Sequence, residues 1–415
     1  MVNRFFYGNT TLFQLIKFVV RFSPAKVRCK DMIYFDNSAT TKPYKEVVDS
    51  FVKVSSEFFG NPSSLHGLGV QAEKLLTQAR TQVANLLAVK PTEIYFTSGG
   101  TESNNLAIKG SAILHKNKGK HLILSSIEHP SVRGAMEQLE KLGFEITYLP
   151  ADHHGRVKVE DVKASIQKNT ILVSVMQVNN EVGTIQPITE IGEHLNQYPN
   201  ILFHVDAVQA VGKVPLNLMG NSVDLCSFSA HKFHGLKGTG ALFVREGVRL
   251  DPLLSGGNQE WKVRSGTENV AGAVAMAKAL RMTIGNSESG VERMKVVKSL
   301  LRKGLSRIDG VTINTPLENS APHILNFSIR GVKAEVLIHT LEQKEIYLST
   351  TSACSSKKQL PSQTLLAMGV PDDLADSAFR ISLSYDNTED EAQKVIMAIE
   401  EGAKQLRKVM KLYEL

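Results

Sequence analysis

Short apolar runs alternate with segments of helical periodicity from about residue 44 to residue 285. The runs are rich in aliphatic and β-branched residues and predict buried strands, whereas amphipathic segments such as Ser131–Leu142 and Val159–Gln167 predict helices. The predicted strands are Glu93–Thr97, His121–Ser125, Phe144–Leu149, Ile171–Val175, Ile201–Val205, Val223–Phe228 and Thr239–Val244. This alternation is typical of an α/β fold, in which helices cover a mostly parallel sheet, here a seven-stranded one.

A polar break at residues 285–290 predicts a domain boundary. Beyond it the pattern predicts a long helix, a strand at Ile324–Ile329, a helix from about Ala334 and a closing helix that starts with a capping box at Thr388–Glu391. We therefore expect a large domain over residues 44–285 and a smaller α+β domain formed by residues 32–43 and 286–415.

The composition, 42% hydrophobic and 21% charged over 415 residues, is ordinary for a globular protein. Residues 1–31 contain six basic residues and one acid and so carry +5 of the net charge of +7, which leaves +2 for the rest. The body of the chain therefore gives no reason to expect a nucleic-acid surface.

The apolar stretch in residues 1–31 is interrupted by Lys17 and Arg21 and is too short to span a bilayer. We interpret it as an extension upstream of a start at Met32, with an organellar targeting segment as the alternative.

The three cysteines, Cys29, Cys226 and Cys354, include no Cys-x-x-Cys pair. This spacing argues against a zinc or iron–sulfur cage and against a disulfide framework. We therefore expect no metal site and a reducing compartment, the cytoplasm.

Lys232 and Asp206 are the leading candidates for cofactor chemistry. Asp206 follows the apolar run Ile201–Val205, and Lys232 follows Val223–Phe228. Side chains just past strand ends line the pocket of an open α/β sheet. A lysine amine forms a Schiff base with the aldehyde of pyridoxal 5'-phosphate (PLP), and a buried aspartate keeps the pyridine nitrogen protonated. The alternative for these residues is a surface lysine and a helix-capping aspartate.

Other residues fit the same cofactor. Gly100 and Thr101 lie between a predicted strand and a helix, where backbone N–H groups bind phosphate, and Ser229 and His231 offer further donors. An ordinary turn is the alternative for the glycine pair.

His129 and Gln209 are candidates for contacts to the cofactor ring. His129 lies just past a predicted strand, where its imidazole would stack on the pyridine ring and move protons. The alternative is a surface histidine that caps the helix starting near Ser131. Gln209 would hydrogen-bond the ring hydroxyl, with a solvated helix position as its alternative.

These motifs together resemble those of NifS/IscS-type cysteine desulfurases, which are class V, fold-type I PLP enzymes. The resemblance covers essentially residues 32–415. It depends on Thr97–Glu102, Asn179-Asn180-Glu181-x-Gly183, Asp206-x-x-Gln209, Ser229–Lys232 and Arg264–Thr267.

The resemblance implies a homodimer in which Thr267 of one subunit reaches the cofactor phosphate of the other. It also implies that Asn179 contacts the ring hydroxyl or the substrate. Arg380 would pair with the substrate carboxylate, a role that suits a bidentate guanidinium. A surface ion pair is the alternative for Arg380.

Cys354 is the residue that separates this resemblance from other class V enzymes. It lies among serines, threonines and lysines, a composition typical of a mobile loop, and Lys357 and Lys358 favour its thiolate. Cys226, inside a predicted strand, is interpreted as a buried core residue. By resemblance, L-cysteine gives L-alanine and a persulfide on Cys354, which is passed to an acceptor protein. Iron–sulfur assembly, tRNA thiolation and cofactor synthesis are all open as destinations.

Three other functions stay open at this stage. A class V aminotransferase would need a 2-oxo acid and should not require Cys354. A selenocysteine lyase would share the cofactor residues. A binding or regulatory protein on the same fold would keep its function when Lys232 is replaced by alanine.

Overall fold

The computed structural model describes residues 32–220, 222–350 and 361–413. Residues 1–31 and the segment that contains Cys354 lie outside the described residues.

The strands are short and separated by helices along most of the chain. They are β1 (Ile33–Tyr34), β2 (Ile94–Thr97), β3 (His121–Ser125), β4 (Glu145–Leu149), β5 (Thr170–Ser174), β6 (Leu202–Asp206), β7 (Leu225–Ser229), β8 (Gly240–Val244), β9 (Val311–Ile313), β10 (Ile324–Ile329), β11 (Ile346–Tyr347), β12 (Ser349–Thr350) and β13 (Ala378–Ser382).

The α-helices alternate with these strands and also close the chain. They are α1 (Lys45–Glu57), α2 (Gly67–Leu86), α3 (Gly100–His115), α4 (Pro130–Lys141), α5 (Val159–Ser165), α6 (Ile188–Leu195), α7 (Val270–Gly285), α8 (Ser287–Leu305), α9 (Ala334–Glu342), α10 (Gln363–Ala367), α11 (Asp372–Asp376) and α12 (Glu389–Tyr413). Among them, none combines the length and the apolar composition that crossing a bilayer requires.

The main sheet has seven strands in the order β2-β8-β7-β6-β5-β3-β4. Strand β8 runs antiparallel to both of its neighbours, and the remaining pairs are parallel. Successive residues of β3 face opposite sides, since Leu122 and Leu124 pack in one hydrophobic cluster and Ile123 in another. Burial on both faces explains the nearly continuous apolar runs in the sequence. The predicted mostly parallel α/β sheet is confirmed.

A second sheet has the order β12-β13-β10-β9, and β1 pairs with β11 in parallel. Helices α8, α9 and α12 pack over this part of the chain and share a separate hydrophobic cluster that includes Val297, Leu337 and Val395. The closing helix α12 starts with a formed capping box, because the Thr388 N–H donates to Glu391 and the Glu391 N–H donates back to the Thr388 hydroxyl. The division into two domains stays a prediction.

An ion pair holds a strained turn near the amino end of α7. Glu260, Trp261 and Lys262 all have positive φ values, of 43°, 51° and 69°, and each such residue costs about 1–2 kcal/mol. The Glu260 carboxylate binds the Arg80 guanidinium through two bonds of 2.7 Å and also accepts the Phe96 N–H at 3.0 Å. Both charged side chains are almost completely buried.

We expect Glu260→Ala to lower the free energy of unfolding by about 3–5 kcal/mol, because breaking a buried pair leaves the Arg80 charge without its partner. Relief of the strained turn offsets part of this loss. The midpoint of urea denaturation measures the change. The matched control is Glu246→Ala, which removes an exposed partner of Lys90 and should cost no more than about 1 kcal/mol. Equal shifts for the two variants would contradict the prediction.

Candidate active site

The carboxyl ends of several strands meet at one edge of the main sheet. Asp206 is the last residue of β6 and Ser229 the last of β7, while His129 follows β3 and Asn179 follows β5. Strand β2 also ends at this edge, because β2 and β7 both run antiparallel to β8. Ligands of open α/β sheets bind at such an edge.

The amino end of α3 has the geometry of an anion-binding site. Gly99 has φ 150° and ψ −176°, a conformation that side chains disfavour. A Cβ on Gly100 would lie only 2.8 Å from Cγ2 of Val208 and 4.0 Å from Oγ of Ser229. Gly100 thus allows the start of this 16-residue helix to lie directly against Val208 and Ser229, and the first N–H groups of a helix have no partner within the helix. Together with the exposed Thr101 in the first turn, this arrangement fits a phosphate group.

An ion pair connects this helix start to the segment that carries Thr267. The Arg264 guanidinium binds the Glu102 carboxylate at 2.8 Å, and the Ser98 N–H donates to the same carboxylate at 2.8 Å. Burial alone would raise the pKa of Glu102, but Arg264 and the Ser98 N–H together lower it. Thr267 is exposed and lines, with Ser98, a cavity of about 190 Å³. Its predicted reach into a second subunit stays a prediction.

Asp206 is buried and belongs to a chain of hydrogen bonds. Its Oδ1 accepts the Val208 N–H at 3.0 Å, and its Oδ2 accepts from the Asn104 amide at 2.8 Å. The same Asn104 nitrogen lies 2.9 Å from Oγ of Ser131, which lies 2.7 Å from Nδ1 of His129. A carboxylate has about four acceptor sites, so Asp206 keeps capacity for another donor.

His129 caps a helix, as one interpretation of the sequence expected, while its predicted contact with the cofactor ring stays a prediction. Its Nδ1 accepts the Ser131 N–H at 3.1 Å and so caps α4. The imidazole is only partly exposed, and burial lowers its pKa; the Asp206 carboxylate opposes this shift and the Lys232 ammonium adds to it. Because the charges of Asp206 and Lys232 both act on this ring, the three residues form one cluster.

Lys232 ends a short 3-10 turn that directly follows β7. Its Nζ donates to the backbone carbonyl of Ser38 and, at 2.7 Å, to that of Ala39. Behind it, the buried Lys213 donates from Nζ to the Lys232 carbonyl at 2.8 Å. Burial lowers the pKa of Lys213 to about 7, and the nearby charge of Lys232 adds to this shift.

Gln209 and His231 contact the amino-terminal segment Ser38–Thr40, which also receives the Lys232 amine. The Gln209 amide donates to the Ser38 carbonyl at 2.9 Å, so this carbonyl receives both Lys232 and Gln209. Gln209 is buried, which excludes the solvated helix position. Nδ1 of His231 lies 3.2 Å from the Thr40 hydroxyl, and burial, aided by the Lys232 charge, lowers the pKa of His231 to about 4. His231 is therefore neutral at pH 7.

Asn179 is fully buried, and both ends of its amide are hydrogen-bonded. Its Oδ1 accepts the N–H groups of Glu181 and Val182 at 2.9 Å each, and its Nδ2 donates to the Ile127 carbonyl at 3.1 Å. Asn179 thus fixes the turn after β5 against the segment after β3. Its predicted contact with a ligand stays a prediction.

Arg380, in β13, is buried and lies next to acceptors from two distant parts of the chain. Its Nη1 donates to the Asn180 carbonyl at 3.0 Å, and its Nη2 pairs with Oδ1 of Asp36 at 2.9 Å. Its Nε is buried and has no hydrogen-bond partner among the described residues. Burial raises the pKa of Asp36, while Arg380 and Lys232 oppose the shift.

The residues directly before and after the segment that contains Cys354 are held in place close to Arg380. On one side Ser349 pairs with Arg380 between β12 and β13. On the other side the Ser362 hydroxyl donates to the half-buried Glu181 carboxylate, as does the Thr364 hydroxyl at 3.1 Å. Cys354 itself lies outside the described residues.

Sequence reasoning missed several residues of this cluster. Asn104 and Ser131 link Asp206 to His129, and Asp36 pairs with Arg380. Glu128 joins the ends of β3 and β5, since its Oε1 accepts the Met176 N–H at 2.7 Å, and burial raises its pKa to about 8. A carboxylate directly before His129, at a predicted strand end, was the signal that could have identified Glu128.

Comparison with known proteins identifies the family. The family model described as aminotransferase class-V matches residues 33–395. The chain belongs to the aminotransferase class-V family. Within this family it is 51% identical to a NifS/IcsS protein homolog of Lactobacillus delbrueckii subsp. bulgaricus, over 92% of this chain and 100% of that protein. It is 43% identical to a cysteine desulfurase IscS of Dictyoglomus turgidum, over 92% of this chain and 96% of that protein.

A solved structure of a NifS-like protein is also similar to this class-V chain. The two are 40% identical, with a TM-score of 0.85 over 89% of this chain and 98% of that one. The resemblance stated from the motifs and the PLP fold-type I class are therefore confirmed. Cys226 is confirmed as a buried residue of β7. The roles of the other predicted site residues stay predictions.

Proposed function

We propose that this chain is a PLP-dependent cysteine desulfurase. It would take the sulfur atom from L-cysteine, release L-alanine and leave a persulfide on Cys354 for an acceptor protein. Relatives that are named cysteine desulfurase IscS and match 92% of this chain support the proposal.

One observation carries the proposal. Asp206 ends β6 and Lys232 follows the neighbouring strand β7, hydrogen bonds through Asn104 and Ser131 connect Asp206 to His129, and the helix start at Gly100 lies at the same edge. These residues fit PLP, because the helix start suits its phosphate and Asp206 retains acceptor capacity for a pyridinium N–H. Bound there, PLP would withdraw electrons from the substrate α-carbon.

The residues would then divide the work as follows. Arg380 holds the substrate carboxylate, and the Lys232 amine takes the α-proton. The Cys354 thiolate attacks the substrate sulfur, so a sulfur–sulfur bond forms while the carbon–sulfur bond breaks. His129, whose pKa is lowered by burial, assists proton transfer to the product carbon. L-cysteine and the Cys354 thiol thus give L-alanine and the Cys354 persulfide, with no other reactant consumed.

The family name supports a rival, a class V aminotransferase. An aminotransferase without a 2-oxo acid stops after one amino group per active site. We expect the PLP-loaded protein to release many equivalents of L-alanine from L-cysteine without any oxo acid, and equal amounts of sulfide when a thiol reductant is present. Release of no more than one equivalent would reject the desulfurase. Comparing kcat/KM for L-cysteine and L-selenocysteine separates a selenocysteine lyase.

The same proposal includes a homodimer, which the family resemblance implies. Large apolar side chains that are exposed in this single chain, including Phe59, Leu65 and Val70, support a covered surface. Size-exclusion chromatography with light scattering tests it.

The compartment and the acceptor are also part of the proposal. The absence of any Cys-x-x-Cys pair among the three cysteines supports a reducing compartment such as the cytoplasm. Sulfur-loaded protein incubated with lysate would identify the acceptor among iron–sulfur, tRNA-thiolation and cofactor-synthesis proteins.

A further inference from the structure

Asp36 lies close to two groups of the candidate site, the guanidinium of Arg380 and the amine of Lys232. It lies next to the guanidinium of Arg380, at 2.9 Å, and close enough to Lys232 for the two charges to interact. Its side chain is 22% exposed whereas that of Arg380 is 6% exposed. Asp36 therefore forms the more accessible part of this pair.

Asp36 is held in place by its backbone rather than by its carboxylate alone. It forms a bridge with Ser382, and its carbonyl accepts the N–H groups of Ala39 and Thr40. The same segment supplies the carbonyls that receive Lys232 and Gln209. The carboxylate is thus positioned by a hydrogen-bonded segment, and it pairs with only one of the three nitrogens of Arg380.

We propose that Asp36 is a positioning and specificity-determining residue, which orients Arg380 toward a single carboxylate and selects against substrates with a second negative group. The inference deepens the proposed function, since it assigns the substrate class of that site. The Asn180 carbonyl and Asp36 together fix the plane of the guanidinium and leave its buried Nε without a partner. A substrate with a neutral thiol brings no second charge toward the Asp36 carboxylate, whereas a second carboxylate or a sulfinate held near it would be repelled.

Two variants separate charge from orientation. Asp36→Asn keeps an oxygen that can accept from Nη2 but removes the negative charge, and Asp36→Ala removes both. The readout is ligand binding, followed by the visible absorbance of the PLP-loaded protein, with L-alanine, L-aspartate and L-alaninamide as probes. The matched control is Asp309→Asn, which neutralises a fully exposed partner of Arg407.

For Asp36→Asn we expect the ratio of the L-aspartate Kd to the L-alanine Kd to fall about tenfold, which corresponds to about 1.4 kcal/mol. For Asp36→Ala we expect the L-alanine Kd to rise about tenfold while that of L-alaninamide, which has no carboxylate, is unchanged. The Asp309→Asn control should match the original protein.

An unchanged ratio in Asp36→Asn would overturn the specificity role. Equal weakening of all three ligands in Asp36→Ala would overturn the positioning role, because a general structural defect does not distinguish ligands by their carboxylates. These measurements do not depend on turnover. If the original protein binds L-alanine but releases none from L-cysteine, the proposed function fails while the inference about Asp36 is still decided by the Kd values.

Discussion

Replacing Cys354 with serine is expected to stop the release of L-alanine from L-cysteine while leaving the absorbance of bound PLP unchanged. A serine hydroxyl stays protonated at neutral pH, whereas Lys357 and Lys358 favour a thiolate at Cys354. Loss of a nucleophile costs up to about 10⁶-fold in rate in other enzymes, and we expect a fall of at least about 10³-fold here. Coupled assays of L-alanine and sulfide measure the result.

Cys226→Ala is the matched control for this variant. Cys226 is completely buried in β7, and burial raises the pKa of its thiol well above the ordinary value. We expect this variant to keep its activity, because a buried neutral thiol cannot reach the substrate sulfur. Full turnover by Cys354→Ser would remove Cys354 from the reaction and favour a function that needs no thiol.

Replacing Lys232 with alanine is expected to lower turnover by at least about 10³-fold, because a positioned base alone contributes about 10²–10⁴-fold. The variant also loses the amine that, in the proposed function, would join PLP to the protein, so its absorbance should change and PLP should dissociate during gel filtration. A small amine such as methylamine should restore part of the activity, since the truncated side chain leaves space beside the Ser38 and Ala39 carbonyls.

Lys237→Ala controls for the loss of a positive charge near the site. Lys237 is exposed and follows the same turn, and its removal should leave turnover and absorbance unchanged. Normal turnover by Lys232→Ala would remove Lys232 from the reaction, whereas an original protein that binds PLP without any turnover would support the binding or regulatory alternative.

The main sheet could be predicted because β3, β5, β7 and β8 are buried at every residue and so on both faces. Such strands appear as continuous apolar runs, and each of the seven runs in the sequence corresponds to a strand to within one or two residues at either end. The errors lie in the predicted strand limits, because polar residues at the ends of the strands also pair with the neighbouring strand. Asp206 belongs to β6 and pairs with Ser227, although it was expected just past the strand.

The contacts inside the candidate site could not be predicted in the same way. Asp36 pairs with Arg380, although 344 positions separate the two in the sequence. Asn104, in helix α3, donates to Asp206, in strand β6. Hydrophobic periodicity reports which face of an element is buried, but it contains no information about which polar groups meet between elements. The candidate cofactor residues could be predicted because the chemistry they would supply is specific, whereas their neighbours such as Asn104 and Asp36 are common residue types at ordinary spacings.

The hydrogen bonds from Lys232 to the carbonyls of Ser38 and Ala39 have a practical consequence for anyone who expresses this protein. Four extended residues span at most about 14 Å, so an affinity tag fused directly before Met32 would start within that reach of Asp36. A tag at the carboxyl terminus, after the closing helix α12 (Glu389–Tyr413), adds no sequence directly to this segment and is the safer choice for kinetic work.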